Sequence, residues 1–198
     1  SEFESRFSKK FGNSFGIMFQ HGRSGLYAFF KCLGIENSEI ICPAYTCVVV
    51  PHAVLLSGNI PVFVDCEAGS PNMSIDEIQN SISENTRAII VTHLFGYPMD
   101  VVKIKQVVEE AEKKYKHKIY IIQDVAHSFG AKWNEELVTK FGDISLFGLN
   151  ISKAITTVFG GMITCNEKSI ADKLRSYRDE NFKKKGFFQK TSRLIYLK

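Results

Sequence analysis

Lys153 stands in the run Asn150-Ile151-Ser152-Lys153-Ala154-Ile155, just past a strand-like stretch and ahead of the pair Gly160-Gly161. Twenty-nine residues earlier, Asp124 ends another apolar run and opens Asp124-Val125-Ala126-His127. An amine in a hydrophobic setting can shed its proton and condense with an aldehyde, and a carboxylate can hold a pyridine nitrogen protonated so that the ring accepts electrons. Together the two residues read as a site for pyridoxal 5'-phosphate. Each also has a plainer reading. An Asp that closes a strand often caps the next helix, a His one turn on is commonly a satisfied core residue, and a Lys at a loop start is commonly a surface charge. The flanking Ile151, Ala154 and Ile155 weigh against the last of these, because an unpaired ammonium in apolar surroundings is costly.

A third segment, Gly22-Arg23-Ser24-Gly25-Leu26-Tyr27, opens a helix. Free backbone N–H groups there, a Ser hydroxyl and a nearby Arg would suit a phosphate, although a Ser at a helix start is in most proteins a plain N-cap. The chain contains neither Gly-x-x-x-x-Gly-Lys-Ser/Thr nor Gly-x-Gly-x-x-Gly, so the usual nucleotide loops are not supported.

Those residues need elements to position them. Short β-branched runs at Glu39 to Cys42, Pro61 to Asp65, Arg87 to His93, Ile119 to Asp124, Ile144 to Phe147 and Gly161 to Cys165 read as strands. Between them, residues 24–33, 47–57, 74–83, 101–116 and 167–178 carry apolar positions at helical spacing, and Ser74-Ile75-Asp76-Glu77 supplies an N-cap with a carboxylate at N3. The alternation predicts an α/β fold of three layers, α/β/α, around a mainly parallel sheet. Ligands in such sheets sit beyond the carboxyl ends of strands. Asp124, Asp65 and His93 fall at such ends and Lys153 just past another, which predicts that these groups converge on one crevice.

The chain has 198 residues, 44% of them hydrophobic, enough for one sizeable domain with its own core. No apolar run approaches the roughly 20 residues that span a bilayer, and the polar start lacks the apolar stretch of a signal peptide, so no membrane span and a cytoplasmic setting are expected. Five cysteines, an odd number without a Cys-x-x-Cys pair, predict neither a disulfide framework nor a metal site. The net charge of +4 is uneven: residues 166–198 hold ten Lys or Arg against four Asp or Glu. A basic tail such as Lys183-Lys184-Lys185-Gly186-Phe187-Phe188 can meet nucleic acid or an anionic membrane, but a solvated or partner-covered segment is the simpler reading, and no nucleic-acid partner is expected.

With these pieces in order, the chain resembles the DegT/DnrJ/EryC1/StrS family of pyridoxal phosphate-dependent sugar aminotransferases, which have the aspartate aminotransferase fold (fold type I). The resemblance runs from about Gly22 to Arg178. It rests on Gly22-Arg23-Ser24-Gly25-Leu26, Cys42-Pro43-Ala44-Tyr45-Thr46, Pro61-Val62-Phe63-Val64-Asp65, Thr92-His93-Leu94-Phe95-Gly96-Tyr97-Pro98, Gln123-Asp124-Val125-Ala126-His127-Ser128-Phe129-Gly130-Ala131, Phe141-Gly142-Asp143-Ile144, and Ser152-Lys153 with Gly160-Gly161-Met162. It implies that Lys153 is the lysine that binds the cofactor aldehyde, that Asp124 faces the pyridine nitrogen, that His127 lies near the ring, and that Arg23 and Ser24 hold the phosphate. It also implies an amino-acid donor, typically glutamate, a keto nucleotide-sugar acceptor, and a homodimer.

Three departures stand out. Gly148 occupies a place where the family usually has a phosphate-binding Ser, and Cys47 occupies one where it often has an aromatic ring over the pyridine, so Cys47 is expected against the ring and Tyr45 is expected to point away. The family's smaller C-terminal domain finds no match. Residues 1–180 therefore read as the large, cofactor-binding domain and 181–198 as a basic and apolar tail that begins a further part. The alternative from another class is a non-catalytic or regulatory protein that holds the cofactor on Lys153 and processes no second substrate; a third reading is a cofactor-free scaffold binding a partner through its tail.

Overall fold

The structure is a computed structural model that describes residues 1–182. Its strands are β1 (Phe15–Phe19), β2 (Glu39–Pro43), β3 (Ile60–Val64), β4 (Thr86–Thr92), β5 (Tyr120–Asp124), β6 (Lys132–Trp133), β7 (Glu136–Leu137), β8 (Ile144–Gly148) and β9 (Gly161–Cys165). Its helices are α1 (Glu2–Lys10), α2 (Gly22–Cys32), α3 (Val49–Leu56), α4 (Ile75–Ser81), α5 (Val101–Tyr115) and α6 (Lys168–Asn181). Seven strands form one sheet in the order β1-β9-β8-β5-β4-β2-β3, and β6 and β7 form a separate hairpin. Only β9 runs against its neighbours; β8, β5, β4, β2 and β3 are mutually parallel.

The six expected strands are present within one residue at either end, and the five expected helices within one to three residues. Ser74 caps α4 as expected, its hydroxyl accepting from the Glu77 N–H at 3.4 Å. Neighbouring residues of the central strands feed opposite layers. Ile40, Ile90 and Ile122 pack with α2, α3 and α6, whereas Ile41, Ile89 and Ile121 pack with α4 and α5. Burial on both faces is why these strands read as unbroken apolar runs.

Three elements were not expected: α1, β1 and the small hairpin. Helix α1 is highly charged, but Phe3, Phe7 and Phe11 recur every four residues and bring Phe7 to 4.9 Å from Phe147 of β8. Strand β1 forms one edge of the sheet. Its free side is covered by Glu4, whose carboxylate accepts from the Met18 N–H and from Arg178, both at 2.8 Å, while Arg178 also donates to the Met18 carbonyl. Charged side chains thus occupy backbone groups that an exposed edge would offer to another chain.

One close contact sets the position of α2. Gly161 of β9 pairs with Gly148 of β8, and a Cβ at Gly161 would lie 2.1 Å from the Gly22 nitrogen. A Cβ at Gly25, one turn on, would lie 2.8 Å from Ile163. The absence of these side chains lets the first turn of α2 rest on the sheet next to the carboxyl end of β8. Gly161→Ala is expected to destabilise the protein by at least about 3 kcal/mol, the upper range for overpacking, because the obstructing atoms are backbone. Urea denaturation measures this; a loss under about 1 kcal/mol would show that α2 can shift freely.

Candidate functional site

Asp124 ends β5 with Thr92 of β4 in register on one side and Leu146 of β8 on the other. Alternation sends it towards α2, like Ile122, and it is buried. One carboxyl oxygen accepts from the Ala126 N–H at 3.0 Å, so Asp124 closes a local turn and caps no helix. Burial pushes its pKa up; the Ala126 N–H and the positive charge of Lys153 oppose that rise. The Thr92 hydroxyl lies near enough to oppose it too, without forming a hydrogen bond of good geometry.

Lys153 lies in the loop between β8 and β9. Leu149 N–H to Gly160 carbonyl (2.9 Å) and Thr157 N–H to Leu149 carbonyl (3.1 Å) close the base of that loop, and Lys153 N–H to Asn150 carbonyl (3.0 Å) makes a turn inside it. The expected apolar packing around Lys153 is not found: Ile151, Ala154 and Ile155 are exposed. The setting comes instead from the cavity wall, which Lys153 shares with Asp124 and His127. His127 is exposed, with its pKa lowered by partial burial and by the charge of Lys153.

This cavity, about 250 Å³, is bounded by Asp124, Thr92, Gly148 and Lys153 on the sheet side and by Gly22, Arg23, Thr46 and Cys47 on the other. Ser24, one residue beyond Arg23, is half-buried and does not line it. A wider hollow of about 800 Å³ continues from it, sharing Ala126, His127, Ser152 and Lys153 and flanked by Phe95 and Phe129. Tyr45 does point away from the smaller cavity, its ring 6.3 Å from that of Phe95, while Cys47 lies on the wall.

Two expected members do not join the site. Asp65 is exposed beyond β3 and binds the N–H of the next residue, Cys66, at 2.7 Å. Strand β3 is at the sheet edge, too far along the strand order for its end to meet that of β8. His93 is fully buried and outside the cavity wall. Its Nδ1 accepts from the Met99 N–H at 3.0 Å, which leaves Nε2 to donate to Gln123 Oε1 at 2.8 Å. Asn72 grips the same loop, accepting from the Leu94 N–H and donating to the Tyr97 carbonyl, each at 2.9 Å. Between these anchors Phe95 is held at φ 54°, a left-handed conformation rare for an aromatic residue, with its ring stacked 6.0 Å from His127. Asn72, Gln123 and Thr92 carry no chemical signal of their own in the sequence, which is why their supporting positions emerge only from the fold.

The fold and the site define a three-layer α/β/α domain with a lysine and a carboxylate at the carboxyl ends of a parallel sheet. The model of the DegT/DnrJ/EryC1/StrS aminotransferase family matches residues 1–195, and the chain belongs to that family. The GDP-perosamine synthase of Escherichia coli O157:H7 is 32% identical over 180 residues, covering 90% of this chain and 48% of the relative. Among solved structures, the sugar aminotransferase CalS13 from Micromonospora echinospora superposes with a TM-score of 0.84 at 26% identity over 89% of this chain and 48% of that one. Spr1654 from Streptococcus pneumoniae in its PLP form gives a TM-score of 0.79 at 26% identity, again over 89% of this chain and 48% of that one; it was also solved in a PMP form. The chain spans about half the length of the relatives it matches.

Two pH effects follow. Asp124 binds its proton more tightly folded than unfolded, so its contribution to stability is present at acid pH and is lost as pH rises through the raised pKa. The stability of cofactor-free Asp124→Asn relative to the parent is therefore expected to increase with pH above the ordinary carboxylate range, read by thermal melts; a constant difference would contradict this. His93 has the opposite sign: burial lowers its pKa from 6.5 to about 4, so stability present above 6.5 is lost as pH falls towards 4. That loss amounts to about 3 kcal/mol and should shrink in His93→Asn.

Proposed function

We propose that this chain is the large, cofactor-binding domain, over residues 1–180, of a pyridoxal phosphate-dependent aminotransferase that carries an amino group from an amino acid, glutamate, to a keto nucleotide sugar. The same proposal makes it a homodimer working in the cytoplasm. Among the described residues no helix is long and apolar enough to cross a membrane. The observation that carries the reading is that Asp124, Lys153 and the first turn of α2 with Arg23 border one cavity.

The residues fit the cofactor. A buried carboxyl with a raised pKa would be relieved by a cationic N–H placed against it. Two buried hydroxyls, Thr92 on the smaller cavity and Ser128 on the wider hollow, lack hydrogen-bond partners and can serve a ligand. The start of α2 supplies free N–H groups and the positive end of a helix dipole for a phosphate.

When bound, the cofactor supplies an aldehyde carbon that carries the amino group and a ring that accepts electrons. Lys153 Nζ would hold that carbon and would be the base that takes and returns a proton. The Asp124 carboxylate would hold a proton on the ring nitrogen. Arg23 and the α2 N–H groups anchor the phosphate, with Ser24 beside them. His127, stacked on Phe95, and Cys47 would lie beside the ring. The names of the matched relatives, a GDP-perosamine synthase and sugar aminotransferases, support the sugar acceptor.

Borohydride reduction after incubation with pyridoxal phosphate, followed by peptide mass mapping, is expected to fix the cofactor on Lys153, and Lys153→Ala is expected to lose that adduct. An adduct confined to other lysines would refute the assignment. Addition of glutamate to loaded protein is then expected to shift its absorbance from the aldehyde to the amine form; no response to any amino donor would favour a non-catalytic cofactor-binding role.

A further inference from the structure

All five cysteines are free thiols, but they are not equivalent. The sulfurs of Cys32, Cys42 and Cys66 each donate to a backbone carbonyl at 3.4 Å, those of Phe29, Ile40 and Pro71, and Cys165 does so to Glu167 at 3.6 Å. Burial pushes Cys42 and Cys165 up to about 12 and Cys32 up to about 11, which leaves little of the reactive thiolate at neutral pH. Cys47 is the exposed one, and its sulfur has no hydrogen-bond partner among the described residues. It also lies on the wall of the 250 Å³ cavity, in company with Lys153 and Asp124.

The backbone holds it there. The Ala44 N–H donates to the Val64 carbonyl at 2.8 Å, and the Cys47 carbonyl accepts from the Val50 N–H at 2.9 Å as the chain enters α3, so both ends of the short segment are fixed. A second feature of the same wall indicates that something binds there. Thr92 is only 6% exposed and borders the cavity from the sheet side, and its hydroxyl, although near the Asp124 carboxyl, makes no hydrogen bond of good geometry there. An orphaned buried hydroxyl costs roughly 1–3 kcal/mol unless a ligand or water completes it.

We propose that Cys47 is a modification site for small soft electrophiles, and that a group carried on its sulfur and a cofactor in the cavity exclude each other. The exclusion rests on the function proposed above; the selective reactivity of Cys47 does not. In a cavity this small, a substituent on Sγ takes up space that a ring between Cys47 and the sheet would need. A ring in place conversely screens Sγ from solvent. Occupancy of the site thereby becomes sensitive to thiol chemistry.

Iodoacetamide is a suitable probe. The thiolate carbon–sulfur bond forms as the carbon–iodine bond breaks, iodide leaves, and the thiol proton passes to solvent. Peptide mapping of the cofactor-free protein over time is expected to find carbamidomethylation at Cys47 before any other cysteine. Pyridoxal phosphate at ten times its Kd is expected to slow that labelling by about tenfold, as mass action requires. Protein labelled at Cys47 is expected to yield little borohydride-trapped Lys153 adduct, whereas Cys47→Ser, whatever its starting level of loading, should trap equally before and after iodoacetamide. Cys66→Ser should remain as sensitive as the parent. Faster labelling of Cys66 or Cys32 than of Cys47 would overturn the site. A Lys153 adduct that forms as fully after carbamidomethylation as before would overturn the exclusion alone, while absence of any Lys153 adduct in untreated protein would overturn the function proposed above and leave the ranking of the thiols readable.

Discussion

A carboxyl group buried at the end of a central parallel strand cannot ionise cheaply unless positive charge faces it. Asp124 is such a group: the sheet removes it from water, one backbone N–H partly compensates it, and the charge of Lys153 acts on it across the cavity. The arrangement is poor for stability alone. It becomes useful if a cation binds between the two side chains, and the proposed cofactor provides one at its ring nitrogen.

Backbone contact brings the other parts to that point. Residues 22 and 153 are far apart in sequence, yet both border the cavity because α2 rests on β9 through Gly161 and Gly25 while β8 delivers the lysine loop from the adjacent strand. Buried polar groups then stiffen the opposite rim. His93, Gln123 and Asn72 use their hydrogen bonds on the loop from His93 to Met99, and the strained Phe95 is held against His127 as a result.

Much of this was legible in the residues. Buried parallel strands announce themselves as β-branched runs, and the helices between them as periodic ones, so six strands and five helices were placed closely. Lys153, Asp124, His127, Arg23 and Cys47 do meet at connected cavities. Strand order and local exposure are not written in the local sequence. Asp65 and His93 end strands just as Asp124 does, but one lies at the sheet edge and the other turns into the core. The isoleucines beside Lys153 resembled a hydrophobic pocket and are exposed. Helix α1 hid its phenylalanine stripe among charges, and the separation of Ser24 from the cavity wall depends on the direction of a helix turn that sequence does not reveal. Of the basic and apolar tail expected over 181–198, Asn181 ends α6 and Phe182 follows it; the rest lies outside the described residues, and with it the expectation that a further part begins there.

The most direct test of the central claim is a crystal structure of the protein grown with pyridoxal phosphate. Density continuous from Lys153 Nζ into the cofactor is expected, with the ring nitrogen within about 3 Å of the Asp124 carboxylate and the phosphate at the first turn of α2. A cofactor bound elsewhere, or one whose ring nitrogen faces solvent while Asp124 stays unpaired, would contradict it.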